Sequence, residues 1–397
     1  MVSQIGWIDF SSFDRDRVKQ VLSQLQIPGT LDELGIGALR DGFSDFLFPG
    51  FSTIQTRAKY LITVPRILRD FDKDKHKSLE KYLKLQENRV AEALVKNHGN
   101  SDEVGIIGAT RINTGGVDRR PSSVYWNAFR VWKIIETPQS LAQFCRNYGS
   151  PEMVESLSDE FEEDHKDAHS KKQIIHLDKN NHEIGWLDKV SLKLTKSEAE
   201  FLADKIRRGP SNSIPSQLLQ HGLLQEALED KYKSFSSFAE WMCQQSIVCE
   251  ETKYYLRMAN EFSEAMYGAH IRYNFLLMES NEKEHMRQDL QEDWESWFSS
   301  VIINEASVNT WFTAIEARVR PETYKFVQQW CYSVTNKITL KQLDQMVEAQ
   351  AKHNKGKRSL LLRRMPKEQG WVGMQRLNYR WERARVILGD IQEGLSC

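Results

Sequence analysis

The sequence is short of cysteine, and what it has is unpaired. Five residues, Cys145, Cys243, Cys249, Cys331 and Cys397, form no Cys-x-x-Cys pair, and their number is odd. That excludes a disulfide framework and points to reduced thiols in a cytoplasmic protein. Cys243 and Cys249, on an apolar helical segment, are expected to be buried structural thiols. Long apolar runs are missing too, so no segment reads as a membrane span. Residues Met1-Val2-Ser3-Gln4-Ile5-Gly6 lack the basic region and apolar run of a signal peptide. A dominant charge sign is absent: 54 Lys and Arg stand against 55 Asp and Glu. Any nucleic-acid binding must therefore come from local patches.

Catalytic signatures are absent as well. There is no Gly-x-Ser-x-Gly elbow, no Gly-x-x-x-x-Gly-Lys-Ser/Thr loop, no His-Glu-x-x-His and no His-x-Lys-x4-Asp. No catalytic residue, resident metal or cofactor is expected on this basis. The His165-Lys166-Asp167-Ala168-His169 segment has the i, i+4 spacing of two zinc ligands, but its acidic flanks read as a solvated run.

What is present is enough for substantial cores. The 397 residues are 40% hydrophobic, with 11 Trp, 12 Tyr and 18 Phe, and the length suggests two or three domains. Apolar residues recur at helical spacing through most of the chain, which predicts a mainly α protein. Tyr255, Met258, Phe262, Ala265, Ala269, Tyr273 and Leu276 step through one long helix, and Met286, Leu290, Trp294, Trp297 and Val301 through the next. The short linker near Glu279-Ser280-Asn281 predicts antiparallel packing. Thr195-Lys196-Ser197-Glu198 is a capping box opening a helix to about Arg208. Helices are also expected from Ser52, with Pro65 as kink or end, over 77–97, after Pro121, from Thr137-Pro138, and over 377–395.

Ile5-Gly6-Trp7-Ile8-Asp9 has a near copy at Ile184-Gly185-Trp186-Leu187-Asp188. Each copy reads as a short strand start. Gly6, Trp7 and Asp9 are given a structural role: a buried Trp anchor, and an Asp at the next helix N-terminus. Tyr125 and Trp126 belong to the same structural class. The composition divides the chain into 1–150, an acidic connector at 151–180, a helical region at 181–335, and a basic segment at 336–397. Eight acids between Glu152 and Asp167 mark the connector.

The basic segment is the clearest chemical signal. Between Lys352 and Arg385, eleven Lys and Arg face only Glu368 and Glu382. Arg363, Arg364 and Lys367 lie in its middle. Arg376, Arg380 and Arg383 fall at i, i+4 and i+7, so a helix through them would align three guanidinium groups, with Trp371 and Tyr379 nearby for base stacking. The competing readings are a protein-docking face and a solvated helix flank. A second basic group is Arg119-Arg120 before Pro121, with Arg57 and Lys59 as candidate neighbours; free N–H groups at a helix start beside Arg suit an anion.

Several stretches together resemble a bacterial family classed as a domain of unknown function: Ile5 to Ser11, Asp32-Glu33-Leu34-Gly35-Ile36-Gly37, Phe48-Pro49-Gly50, Ser52 to Tyr60, Pro121 to Asn127, and Leu377-Asn378-Tyr379-Arg380-Trp381 with Ile387 to Leu395. The resemblance runs nearly end to end. It implies a place in genomic defence islands beside helicase-like and phospholipase-D-type nuclease proteins, with the Azaca anti-phage system as the nearest setting. It carries no catalytic residues. The expected role is a non-catalytic subunit that binds DNA or such a partner; a cryptic metal-dependent nuclease and a protein-only scaffold remain the alternatives.

Overall fold

The computed structural model describes residues 31–99, 104–109, 119–148, 174–177, 185–315, 319–363 and 370–397. The first Gly-Trp motif, residues 151–173 of the acidic connector with His165 and His169, and Arg364 and Lys367 lie outside them. The described residues are mainly α, with 15 α-helices and no strand. Among these residues the one β-type contact is an isolated bridge between Ile135 and Ile175. The short strand expected at the second Gly-Trp motif is instead a turn over 185–189, with Gly185 at φ +76°.

The helices are α1 Gly37–Leu47, α2 Tyr60–Arg69, α3 Leu79–His98, α4 Pro121–Val131, α5 Leu141–Asn147, α6 Lys196–Arg207, α7 Ile214–Gln220, α8 Leu224–Ala227, α9 Phe235–Gln244, α10 Glu250–Ser280, α11 Glu284–Ser300, α12 Glu305–Ala314, α13 Pro321–Thr335, α14 Leu340–Lys355 and α15 Trp381–Leu395. They fall into two compact units that interleave in sequence. One lies within Met1–Phe43 and Arg257–Leu377, the other within Ser44–Leu256 and Asn378–Cys397.

In the first unit the long α10 pairs with α11. The Trp297 indole N–H donates to the Glu264 carbonyl at 3.0 Å, and Arg272 reaches the Gln291 side chain at 3.2 Å. Contacts that advance along α10 while retreating along α11 make the pair antiparallel, as the short linker predicts. Gly268 is required by this packing, because a Cβ there would run into the Trp297 ring. Phe43, Phe262 and Trp311 continue the core with ring centroids 5.8 and 5.5 Å apart, the first pair tilted and the second edge to face. Trp330 is fully buried and donates its indole N–H to the Ala265 carbonyl. Each large apolar side chain buried this way contributes about 1.5–3 kcal/mol.

In the second unit α15 packs on α6. Gly394 permits the approach, since a Cβ there would meet Ala199. Trp381 stacks on Phe238 with centroids 3.8 Å apart and donates its N–H to the Tyr232 carbonyl. The capping box of α6 is formed as expected: Thr195 accepts from the Glu198 N–H, and Glu198 accepts from the Thr195 N–H. Elsewhere local signals misplace the helix starts. Residues 52–59 turn rather than coil, because Gln55 bonds back to Ser52 and Gly50, and α2 opens only at Tyr60. Pro65 lies inside α2 rather than ending it. Tyr60 to Leu68 are all buried, and that burial outweighs the lost hydrogen bond. The helix expected from Thr137-Pro138 begins later, because Ser140 and Gln143 form the capping box instead.

Candidate nucleic-acid interface

The basic segment divides between the two units. In the first, α14 ends in Lys352, His353 and Lys355, Gly356 takes φ +54°, and Lys357 and Arg358 form a short 3-10 turn. Cations in a last helical turn are favoured by the negative end of the helix dipole. The segment is held by polar contacts to residues 32–34. Asn354 donates to the carbonyls of Asp32 and Glu33 at 2.9 and 3.0 Å, and Gln350 to that of Leu34 at 2.7 Å. The buried Glu33 carboxylate accepts from the Tyr273 hydroxyl at 3.0 Å and, at 3.5 Å, from the Leu360 N–H. Burial raises its pKa, against the lowering by Tyr273 and Lys355. Lys357, Arg358 and Arg363 stand exposed on this scaffold with no ion-pair partner among the described residues, and Leu362 among them is 56% exposed. Arg363 makes one long contact, 3.4 Å, to the Lys357 carbonyl.

The three-arginine helix face does not form. Arg376 precedes α15 and belongs to the first unit, whereas Arg380 and Arg383 belong to the second. Tyr379 and Arg380 both take left-handed backbone, φ +46° and +73°, and the Asn378 side chain accepts from the Arg380 N–H at 3.2 Å. That local turn competes with helix, so α15 starts at Trp381. Arg376 forms an ion pair with Glu264 at 2.6 Å and lies 4.0 Å over the Tyr267 ring. Arg380 pairs with Asp45 at 2.7 Å and donates to the Phe51 carbonyl. Arg383 is exposed with no ion-pair partner among the described residues. Of the two aromatics, Trp371 is half-buried beside Tyr267 and Tyr379 is fully buried.

The arginines before α4 are engaged as well. Arg120 donates to the Lys84 carbonyl and to Asn88 at 3.0 and 3.1 Å. The start of α4 is taken by Glu87, which accepts from the Ser122 N–H at 2.6 Å. A carboxylate thus occupies the place an anion was expected to take. Arg119 is half-exposed. Arg57 is held by Asp390, and Lys59 by Glu198 at 2.6 Å. Tyr125 accepts from the N–H groups of Thr56 and Arg57, and Trp126 donates to the Gln139 carbonyl.

Sequence reasoning did not find Arg272. Its side chain is 0% exposed and makes paired bonds to Asp344 at 2.7 and 2.8 Å, with its guanidinium 4.0 Å over Phe275. The available signal was an arginine beside Tyr273 and Ala269 on an apolar helix stripe. Cys331 is buried, Cys145, Cys243 and Cys249 are half-buried, and Cys397 is exposed, all as free thiols. Among the described residues, no group of three or more His, Cys, Asp or Glu is placed to hold a metal, and no helix is long and apolar enough to cross a membrane.

Among the described residues the fold is mainly helical, and the exposed basic cluster Lys357, Arg358 and Arg363 stands apart from several internally paired cations. The chain belongs to DUF6361, a family of unknown function, whose model matches residues 2–394. No curated protein and no solved structure matches it.

Proposed function

We propose that the chain is a non-catalytic binding subunit of a bacterial anti-phage assembly working in the cytoplasm. It contacts nucleic-acid phosphates through the cluster Lys357, Arg358 and Arg363, while helicase-like and phospholipase-D-type nuclease partners carry out hydrolysis and cleavage. The observation that supports the contact surface is the exposure of these three cations on a rigidly tethered turn, with no carboxylate bound to them among the described residues. Cations in that state gain most from neutralising phosphates and releasing their counterions. The defence setting rests on the sequence resemblance. Leu362, exposed at the centre of the cluster, favours a second reading in which the same surface docks an acidic, partly apolar segment of a partner protein.

The test is fluorescence anisotropy of labelled duplex and single-stranded DNA with the purified chain over a salt series. Binding that falls with salt and is lost in the Lys357→Glu, Arg358→Glu, Arg363→Glu triple variant supports the first reading. Absence of binding to either DNA at low salt defeats it. Co-purification with a co-expressed partner that the triple variant abolishes then supports the second.

A further inference from the structure

Residues 370–377 form a strap that runs back along α10 in the first unit. Two buried side chains of the helix hold its backbone. Asn274 accepts from the Val372 N–H at 2.7 Å and donates to the Val372 carbonyl at 2.9 Å, and Ser263 accepts from the Leu377 N–H at 2.8 Å. His270, one turn before Asn274, lies under the strap and is 1% exposed. Its Nδ1 donates to the Met266 carbonyl at 2.9 Å, which leaves Nε2 as an acceptor. Nε2 is buried with no hydrogen-bond partner among the described residues. The strap meets the ring at Gly373, which has φ +82°. A Cβ there would lie 3.6 Å from Cδ2, the ring carbon bonded to Nε2, and 3.2 Å from the Leu31 carbonyl oxygen. The imidazole therefore sits where the strap and the segment starting at Leu31 both meet α10.

The charged groups around this junction have other partners. Asp32 is the carboxylate that acts on His270, and it already accepts from the Ile36 and Gly37 N–H groups at 2.9 Å each. Glu33 is turned to Tyr273 and the Leu360 N–H, with Lys355 acting on it. From α1, Arg40 reaches Met374 Sδ at 3.8 Å and pairs with Asp41. On the strap itself Arg376 pairs with Glu264 of α10. A proton taken up at Nε2 would therefore create a buried charge with no acceptor bonded to it.

We propose that His270 is a proton-operated release for this junction. Uptake of a solvent proton at Nε2 frees the strap and residues 31–37 from α10. That loosens the turn carrying Lys357, Arg358 and Arg363, because Asp32, Glu33 and Leu34 are its tethers. Burial lowers the His270 pKa below the usual 6.5, against the Met266 contact and Asp32, which raise it. The closed junction keeps the ring neutral, whereas the open one lets it charge. The closed form is thus unpenalised above about pH 6.5 and loses stability as pH falls below it. Glu33 acts in the opposite sense: burial raises its pKa, so the closed form takes up that proton more readily as pH falls. Loss of closure in acid is therefore the signature of the histidine.

Hydrogen–deuterium exchange of the full chain tests this, read as protection factors so that the intrinsic pH dependence of exchange is removed. Between about pH 8 and about pH 5.5 the amides of 31–37 and 370–377 should lose about tenfold in protection, the factor for a histidine one unit below its open-state pKa. At both pH values they should be less protected than the core of α13, because the strap opens without unfolding the unit. His270→Phe keeps a ring of similar size that does not titrate, and His270→Gln keeps a donor for the Met266 carbonyl. Each variant that folds should lose the pH dependence. Protection that does not change with pH in the parent chain, or changes equally in the variants, overturns the proposal. Equal protection of the strap and α13 overturns a local release. The effect on DNA rests on the contact proposed above, but exchange is measured without DNA, so the two readings fail separately.

Discussion

Arg57 and Asp390, 333 residues apart in sequence, form a paired contact: Arg57 Nη2 reaches one carboxylate oxygen at 2.8 Å and Nε reaches the other at 3.0 Å. Asp390 also accepts from the Ala58 N–H at 2.8 Å, so it fixes both a side chain and the backbone leading into α2. Burial is the largest influence on Arg57 and works against its charge, but the Asp390 hydrogen bonds together with the nearby charges of Asp390 and Glu393 outweigh it and raise the arginine pKa.

Removing one partner should therefore be costly. Asp390→Ala leaves a half-buried guanidinium and an unpaired backbone N–H, and is expected to destabilise the second unit by about 2–4 kcal/mol. The double change Arg57→Met, Asp390→Leu should recover a large part of that loss, because no charge is then stranded. Urea unfolding of the three variants checks both; equal midpoints for Asp390→Ala and the parent chain would refute the role.

The Arg272–Asp344 pair makes the same argument in the first unit with a deeper burial. Arg272→Met should be much milder than Asp344→Ala, since the latter leaves an unneutralised guanidinium against Phe275 and Trp294. The expected loss for Asp344→Ala is about 3–5 kcal/mol. Thermal melts that rank the two variants the other way would sink this account.

Glu87 gives a pH dependence. Burial pushes its carboxyl up to about 7, against the Ser122 and Arg120 contacts that lower it. The folded state then binds a proton more readily than the unfolded state between about 4.5 and 7. The contribution is full below the lower value and is lost as pH rises through the upper one. Stability from this group should fall by on the order of 3 kcal/mol across that window. Glu87→Gln keeps an oxygen for the Ser122 N–H and removes the titration. It should melt higher than the parent at pH 8, with the gap closing toward pH 5. A gap independent of pH would show that Glu87 does not titrate there.

Gly268→Ala tests the α10–α11 contact. The added Cβ meets the Trp297 ring, and overpacking of this kind costs about 1–3 kcal/mol. Combining it with Trp297→Leu should relieve the strain, and a double-mutant cycle measures the coupling. Coupling near zero would mean that the two residues do not share the contact.

The Lys357, Arg358 and Arg363 cluster predicts a salt slope. If all three contact phosphates, the triple reversal should reduce the magnitude of the slope of log binding constant against log salt by about three. An unchanged slope would place the phosphate contacts elsewhere on the chain.

The sequence was most readable where structure is set within a turn or two of chain. The α10–α11 pair follows from apolar residues at helical spacing and a short linker, and the α6 cap from Thr195 and Glu198 three residues apart. It misled where a short-range alternative competes with the apparent period. Arg376, Arg380 and Arg383 have helical spacing, but Asn378 bonds the Arg380 N–H, and two left-handed residues delay the helix to Trp381. The basic composition of residues 352–385 was evident, yet Arg376 and Arg380 are neutralised by Glu264 and Asp45, which no local pattern announces.

Composition and periodicity by themselves determined the mainly helical class, the free thiols and the local basic charge, because these depend on residue type and on neighbours three or four positions away. Only the tertiary structure decided which cations remain available. Whether an arginine is paired depends on which carboxylate the fold carries within about 3 Å of it, and for Arg57 that partner comes from 333 residues along the chain. The same holds for Trp186 of the second Gly-Trp motif, whose ring meets the Arg66 guanidinium of α2 only after the chain has folded.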